Sequence, residues 1–354
     1  MTRMNFTPLH PEGPAFQSGD EWQIKSSRKP RLLRRGVTGF TRVLDLSLRR
    51  FIFSLYHFVA PFASKTGLTR IFLGKNTIGS GINSFFNKII NLNLPEPIEA
   101  QGMIMYQGRL REEGSGYAFD YEPETRRAFR RIVKPGMTVV DAGANIGYYT
   151  LLAAKSMGNS GRVYAFEPDP GYYALLKKNI EVNRLNKIVE LFQTAIGDTE
   201  NKSTFFLGNL TANSFFSLPG VTTDKTIIVD VVSLDKFFSE RNWPSVNVIK
   251  LDIEGSEKTA LDGMRGLLKR NKDINIIIEV NPAFLEAAGT TAEELFLLLV
   301  ELGFRQICIL WKEMKSCKIP RDIKYLTAYS KNLGHVNLLC QRNGREELQR
   351  HGYA

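Results

Sequence analysis

Hydrophobic and polar positions fall into a repeating order from about residue 138 onward. Short runs of β-branched and apolar residues at 138–140, 163–166, 189–194, 246–251 and 274–280 read as strands. The run at 274–280 is nearly all Ile, which suits a strand covered on both faces. Between these runs, residues 148–154, 172–184 and 256–269 carry helical apolar faces, and Thr290-Thr291-Ala292-Glu293 offers a capping box for a further helix to Leu302. Residues 305–311 and 335–341 supply two last strands, joined by a loose connection suited to a lid. Residues 201–235 read as a β excursion, with strands at 203–207 and 226–232. The alternation predicts an α/β fold with a doubly wound sheet, whose ligands bind at the carboxyl ends of the strands.

Upstream, residues 102–106 and 116–121 have the pattern of two strands paired around a Gly-containing segment. Glu122-Pro123-Glu124-Thr125 opens a helix to about Val133, which Pro135-Gly136 ends. Residues 1–30 are polar and rich in Pro, Gly and Ser, a composition of poor order, with no apolar stretch of signal-peptide type. The net charge is +11, and the first hundred residues alone hold fourteen Lys and Arg against six Asp and Glu. From 31 to 50 the basic residues punctuate apolar ones as on an amphipathic helix. Residues 51–64 are an uncharged run too short to cross a bilayer, for which about 20 apolar residues are needed. Three roles stay open for this region: packing as a helical appendage, peripheral contact with an anionic membrane surface, and contact with nucleic acid, although basic residues alone identify a phosphate partner poorly. The chain thus divides into a polar N-terminus (1–30), a basic, mainly helical extension (31–100), a catalytic domain (101–345) and a tail (346–354).

The candidate chemistry centres on Asp141-Ala142-Gly143-Ala144-Asn145-Ile146-Gly147, a strand end followed by a glycine turn and a helix. A dinucleotide site wants G-x-G-x-x-G, so that backbone can approach a pyrophosphate. Here Asn145 holds the place of the second glycine, and Asp141 would set negative charge near any pyrophosphate. A ligand with an ammonium group and no phosphate suits this turn, as in the methionine part of S-adenosylmethionine. Glu167, followed by Pro168, stands at the next strand end, about 20 residues on, where a carboxylate can accept both hydroxyls of an adenosine ribose. Asp198, in the turn after the third strand, is placed to accept from the adenine amine. Asp252 and Glu254 follow the fourth strand, and Gly255 beside them lets backbone approach a ligand.

Three cysteines without metal-type spacing and four scattered histidines exclude a zinc site, and no metal is expected. The positive charge lies outside the catalytic body, so nucleic acid is not the expected partner. A cytoplasmic location follows, with peripheral contact at the inner face of the membrane as the variant that the basic region allows.

Val139-Val140-Asp141-Ala142-Gly143-Ala144-Asn145-Ile146-Gly147-Tyr148, Ala165-Phe166-Glu167-Pro168, Ala195-Ile196-Gly197-Asp198 and Ile249-Lys250-Leu251-Asp252-Ile253-Glu254-Gly255 occur in that order. In this combination the chain resembles the FkbM-type methyltransferases, a branch of the class I S-adenosylmethionine-dependent enzymes, over roughly residues 105–341. The resemblance implies a seven-stranded sheet with a reversed last strand. It implies S-adenosylmethionine as cofactor, held by Asp141, Gly143, Ala144, Asn145, Gly147, Glu167, Pro168 and Asp198. It also implies methyl transfer to a hydroxyl of a small-molecule or glycan acceptor, with Asp252 and Glu254 as the candidate catalytic carboxylates. Alternatives are a nucleic-acid or protein methyltransferase, a nicotinamide oxidoreductase, and a non-catalytic membrane-associated scaffold of the same fold.

Overall fold

The computed structural model describes residues 97–108 and 121–342, apart from 159, 209–212, 219–220 and 313. The expected N-terminal segments up to residue 96, most of the strand at 116–121 and the tail lie outside the described residues. The hairpin of β1 (Ile98–Ala100) and β2 (Met103–Met105) opens the described body. It starts before residue 101, so the boundary placed there falls inside a paired element.

The central sheet is built around β3 (Thr138–Ala142), all but the first of whose residues are buried. It pairs in parallel with β4 (Arg162–Phe166) on one side and, across about a hundred residues of sequence, with β9 (Val248–Leu251) on the other. The sheet continues outward through β5 (Val189–Phe192) beyond β4, and through β10 (Asn275–Val280) beyond β9. Strand β13 (Val336–Gln341) runs antiparallel between β10 and β11 (Gln306–Ile309). These seven strands reproduce the expected doubly wound order with a reversed last strand. An eighth, β12 (Lys315–Lys318), pairs antiparallel with β11 at the edge. The segment expected to be a loose lid is therefore ordered as β12 and a helix that packs against the sheet.

Helices cover both faces. Pro123–Ile132 (α1) begins with a proline at its first turn, where its missing N–H costs nothing. Tyr148–Met157 (α2) follows β3, and Pro170–Val182 (α3) follows β4, capped by Asp169, whose carboxylate accepts from Gly171 and Tyr172 backbone N–H groups at 2.6 and 3.0 Å. Asn179 and Asn183 of α3 bind the backbone of β2 at Tyr106 and Ile104, sewing the hairpin onto this layer.

The β excursion forms its own three-stranded sheet. Strand β8 (Thr222–Ser233) lies between β7 (Asn201–Gly208) and β6 (Ala195–Gly197). Residues 195–197, read from sequence as a turn, are thus a buried strand. After α4 (Leu234–Ser239) and β9, the single helix expected at 256–269 is two: α5 (Glu257–Asp262) and α6 (Arg265–Arg270). The break sits at Gly263, where any side chain would overlap the carbonyl oxygen of Gly197 in β6. Asp235 then caps the second half, accepting from the N–H groups of Gly266 and Leu267 at 2.7 and 2.6 Å. Pro282–Ala287 (α7), Ala292–Glu301 (α8) and Ile323–Leu333 (α9) complete the layers. The capping box of α8 is Thr291 with Glu294, one residue later than read from sequence. Among the described residues no helix is long and apolar enough to cross a membrane.

The cap at Asp235 gives a direct test of this packing. Asp235→Ala should cost about 1–2 kcal/mol in chemical denaturation, whereas Glu240→Ala, which breaks an exposed ion pair with Lys236, should leave the denaturation midpoint nearly unchanged.

Candidate active site

The carboxyl ends of β3, β4, β9 and β10 meet at one edge of the central sheet. The glycine turn after β3 is folded back against β4, with the N–H groups of Gly143 and Ala144 both donating to the Phe166 carbonyl at 3.0 and 2.9 Å. Gly143 has φ +80, and an added Cβ would overlap the carbonyl oxygen of Asp252 in the loop after β9. Glycine is therefore required here so that two loops can touch, not for approach to a phosphate. Gly147 caps the start of α2 at φ +97 and lies against Leu176 behind the turn; it does not line the site.

Glu167 is 5% exposed. One of its oxygens accepts the Asn145 N–H at 2.8 Å and the other accepts the Asp169 N–H at 2.8 Å, which ties the turn after β3 to the start of α3. Burial pushes its carboxyl up to about 8, against the pull of those two backbone donors. Asp141 accepts the Thr150 hydroxyl at 2.5 Å. Burial raises it to about 6, with Thr150 and Lys250 opposing.

Lys250, on the central strand β9, is almost wholly buried and pairs with Asp252 at 2.7 Å. Its ammonium also sits 4.9 Å from the centre of the Tyr149 ring. Burial alone would lower the Lys250 pKa, but Asp252 and Glu122 raise it. Burial would likewise raise Asp252, yet the Lys250 ammonium holds it below the usual range, so it is ionised. Glu254 is pushed well up, first by burial and then by Asp252 and Glu257, with Lys250 and a hydrogen bond from the Asn281 side chain opposing. Glu279 is pushed well up by burial and then by Asp252 and Glu254. Glu122, at the start of α1, makes no cap bond and accepts the Tyr149 hydroxyl at 2.6 Å. Glu257 holds the loop in shape: its buried carboxylate accepts the N–H groups of Ile253 and Gly255 at 3.2 and 3.0 Å. Between these anchors Glu254 adopts φ +46, an uncommon conformation for a non-glycine residue.

Two cavities open at this edge, of about 510 and 590 Å³, and share Gly143, Asn145, Asp252 and Glu254. The first has Glu167 and Pro168 on one wall and Phe205, Asn213 and Phe215 of the β excursion on another. The second holds Asp141, Ala144, Lys250 and Glu279. The structure thus gathers Asp141, Gly143, Ala144, Asn145, Glu167, Pro168, Asp252 and Glu254. It does not bring Asp198 to either cavity: β6 turns Asp198 out to solvent, while the preceding Ala195 and Ile196 line the first one. Sequence reasoning assigned nothing to Lys250. Its signal was available, since residues two apart on a strand share a face and a lysine in a fully buried strand is rare unless paired. Phe205, Asn213 and Phe215 carried no such signal. Lys250 is the one basic side chain lining either cavity, and Asp252 occupies it. The arrangement fits a cationic, phosphate-free ligand and does not fit a pyrophosphate.

Residues 141–306 match the methyltransferase FkbM domain family. The chain is 28% identical over 170 residues to Methyltransferase 1 of Beauveria bassiana, covering 40% of this chain and 64% of that protein. It is 26% identical to the hexuronic acid methyltransferase AglP of Haloferax volcanii, covering 46% of this chain and 60% of that one. To the 31-O-demethyl-FK506 methyltransferase FkbM of Streptomyces tacrolimicus it is 28% identical, over 37% of this chain and 61% of that one. The chain therefore spans between 60% and 64% of the length of these relatives.

The contact at Gly143 can be separated from its backbone conformation. Gly136 has the same φ of +80 with open space around its Cβ position. Gly136→Ala should cost about 1–2 kcal/mol from the left-handed conformation alone. Gly143→Ala should cost more than that in the same denaturant titration, because the loop after β9 must also move.

Proposed function

Residues 141–306 of this chain form a methyltransferase domain of the FkbM family, and from that premise we propose that the protein methylates a hydroxyl of a sugar, glycolipid or other small metabolite with S-adenosylmethionine as donor. The observation that carries the proposal is the junction of the two cavities at Gly143, Asn145, Asp252 and Glu254. One cavity has a buried ribose-type carboxylate and apolar walls; the other is polar and rich in carboxylates. The relatives named for a hexuronic acid and for a 31-O-demethyl macrolide support a hydroxyl acceptor of this kind.

When bound, S-adenosylmethionine supplies an electrophilic methyl group on a sulfonium. The residues of this chain do the positioning. Glu167 is placed to accept ribose hydroxyls, while Phe205, Phe215 and Ile196 exclude water from the apolar cavity. Asp141 offers a carboxylate to an ammonium group. Asp252, kept ionised by Lys250, faces the position of an acceptor hydroxyl and can take its proton, and Glu254 beside it can do so once it has lost its own. Alignment of reacting groups supplies about 7–11 kcal/mol in well-oriented systems, whereas a general base adds only about 10²–10⁴-fold. The precise hold on two ligands therefore matters more than the strength of either carboxylate.

Calorimetry with S-adenosylhomocysteine tests the cofactor assignment. A carboxyl raised to about 8 by burial carries its proton below that pH, while accepting two hydroxyl donors favours the ionised form. Binding then expels the proton, so affinity should rise between pH 6 and 8 and level off above. Glu167→Gln should lose roughly 10–100-fold in affinity, as for a hydrogen-bonded charged group, and should flatten the rise that Glu167 contributes. Unchanged affinity in this variant would rule out the ribose assignment.

Transfer of isotopically labelled methyl to a panel of glycosides and hydroxylated aglycones tests the reaction itself. With an accepted substrate, Glu254→Gln should lower kcat while leaving S-adenosylhomocysteine affinity within a few-fold of wild type. Labelling confined to RNA or protein would overturn the small-molecule reading.

A further inference from the structure

The polar cavity gathers carboxyl groups around a single ammonium, that of Lys250. Asp252, Glu254 and Glu279 come from the ends of β9 and β10, and each offers a carboxylate oxygen lying within 4.8 Å of the other two. The cation in contact with them, Lys250, pairs with Asp252 through Oδ2 at 2.7 Å and leaves Oδ1 free of that bond. If all three were ionised, the single ammonium would balance only one of their charges.

Two of these carboxylates also lack the partners that burial normally demands. Glu254 Oε2 is shielded from solvent and has no hydrogen-bond partner. Glu279 is 9% exposed and lines the cavity. Its hydrogen bond lies within the cluster, to Asp252, and Glu254 has one donor from outside it, the Asn281 side chain. Buried carboxylates without donors are costly unless they are paired or coordinate a metal. The loop is built to keep them there all the same: Glu257 pins the N–H groups on either side of Glu254, and Glu254 itself is held at φ +46.

We infer that Asp252, Glu254 and Glu279 bind a hard divalent cation, such as Mg²⁺ or Mn²⁺, at the acceptor end of the site. An all-oxygen donor set selects such ions over zinc or copper, and two positive charges would let Glu254 and Glu279 ionise together with Asp252. Three protein oxygens leave the remaining positions of an octahedral shell facing the cavity, for water or for two neighbouring oxygens of an acceptor. The ion then favours an acceptor with adjacent hydroxyls, or a hydroxyl beside a carboxylate, over one with an isolated hydroxyl. It would also let an acidic sugar enter a cavity that otherwise repels it. This acceptor preference rests on the methyl-transfer reading above; the binding of the ion does not.

Titration of the full-length protein with Mn²⁺ alone, followed by electron paramagnetic resonance, tests the site. One Mn²⁺ should bind per chain. Glu254→Gln and Glu279→Gln should each weaken binding by roughly tenfold or more, at least the loss seen when even outer-shell partners of a metal are removed. Glu286→Gln, which alters an exposed carboxylate on α7, should leave it unchanged. Both site variants remove a charge from a crowded group, and S-adenosylhomocysteine calorimetry on the same samples reports whether each is folded. No Mn²⁺ bound by the wild type at millimolar concentration overturns the inference and leaves a proton shared among the carboxylates in its place. Full binding by both variants overturns it equally, since the ion then sits elsewhere. Binding of S-adenosylhomocysteine without Mn²⁺ defeats the cation site alone, and binding of Mn²⁺ without S-adenosylhomocysteine defeats the cofactor assignment alone.

Discussion

The buried ion pair between Lys250 and Asp252 is the interaction on which the arrangement of the site depends. An ammonium on the middle of a central strand is tolerable only because a carboxylate two residues on shares its face. The carboxylates around it are tolerable in turn because that ammonium lowers the cost of their charge. Removing one partner of a buried pair costs about 3–5 kcal/mol, because the other charge is left without compensation. The pair also fixes chemistry: it keeps Asp252 ionised beside Glu254 and Glu279, which burial drives toward their protonated forms. Neighbouring carboxylates of one loop cluster are thereby set to different states.

Around this charge centre, backbone contacts rather than side-chain contacts position the walls. The turn after β3 rests on the loop after β9 at Gly143, with no room for a side chain between them. Glu167 joins that turn to α3 through two backbone N–H groups, and Glu257 does the same for the loop that carries Asp252 and Glu254. Carboxylates thus serve as clamps for the loops as well as ligand-facing groups. Contacts of this kind fix the backbone at the junction of the two cavities. The residues of that junction lie within the stretch that matches the FkbM domain model.

The β excursion adds the part of the site that owes nothing to the doubly wound core. Phe205, Asn213 and Phe215 cover the apolar cavity from a separate small sheet. Asn213 ties this cover to α3, with its amide donating to Asp169 at 3.0 Å and its carbonyl accepting the Gly208 N–H at 2.8 Å. Asp169 therefore caps a helix and anchors the cover at once.

The local elements of this chain were legible from its residues. The strand, turn and helix at 138–154 and the carboxylates at the ends of successive strands follow from periodicity and turn chemistry, which act over a few residues; the reversed last strand was implied by the family resemblance. The positions of Asp141, Glu167 and Asp252 came with them, because a strand end is a local feature. What only the tertiary structure decided depends on which distant segments become neighbours. Strand β3 touches β9 rather than an element near it in sequence; this makes Gly143 a point of loop contact, and it sets Lys250 beneath the cavity. The pairing of β9 with β10 carries Glu279 to Asp252 and Glu254. The pairing of β6 with β8 turns Asp198 away from the site, and a lone hairpin partner for β11 converts an expected lid into β12. Patterns within a segment report how it folds against itself and against a core of unspecified shape. They carry no record of the partner strand, and in a doubly wound sheet it is the partner strand that assembles the site.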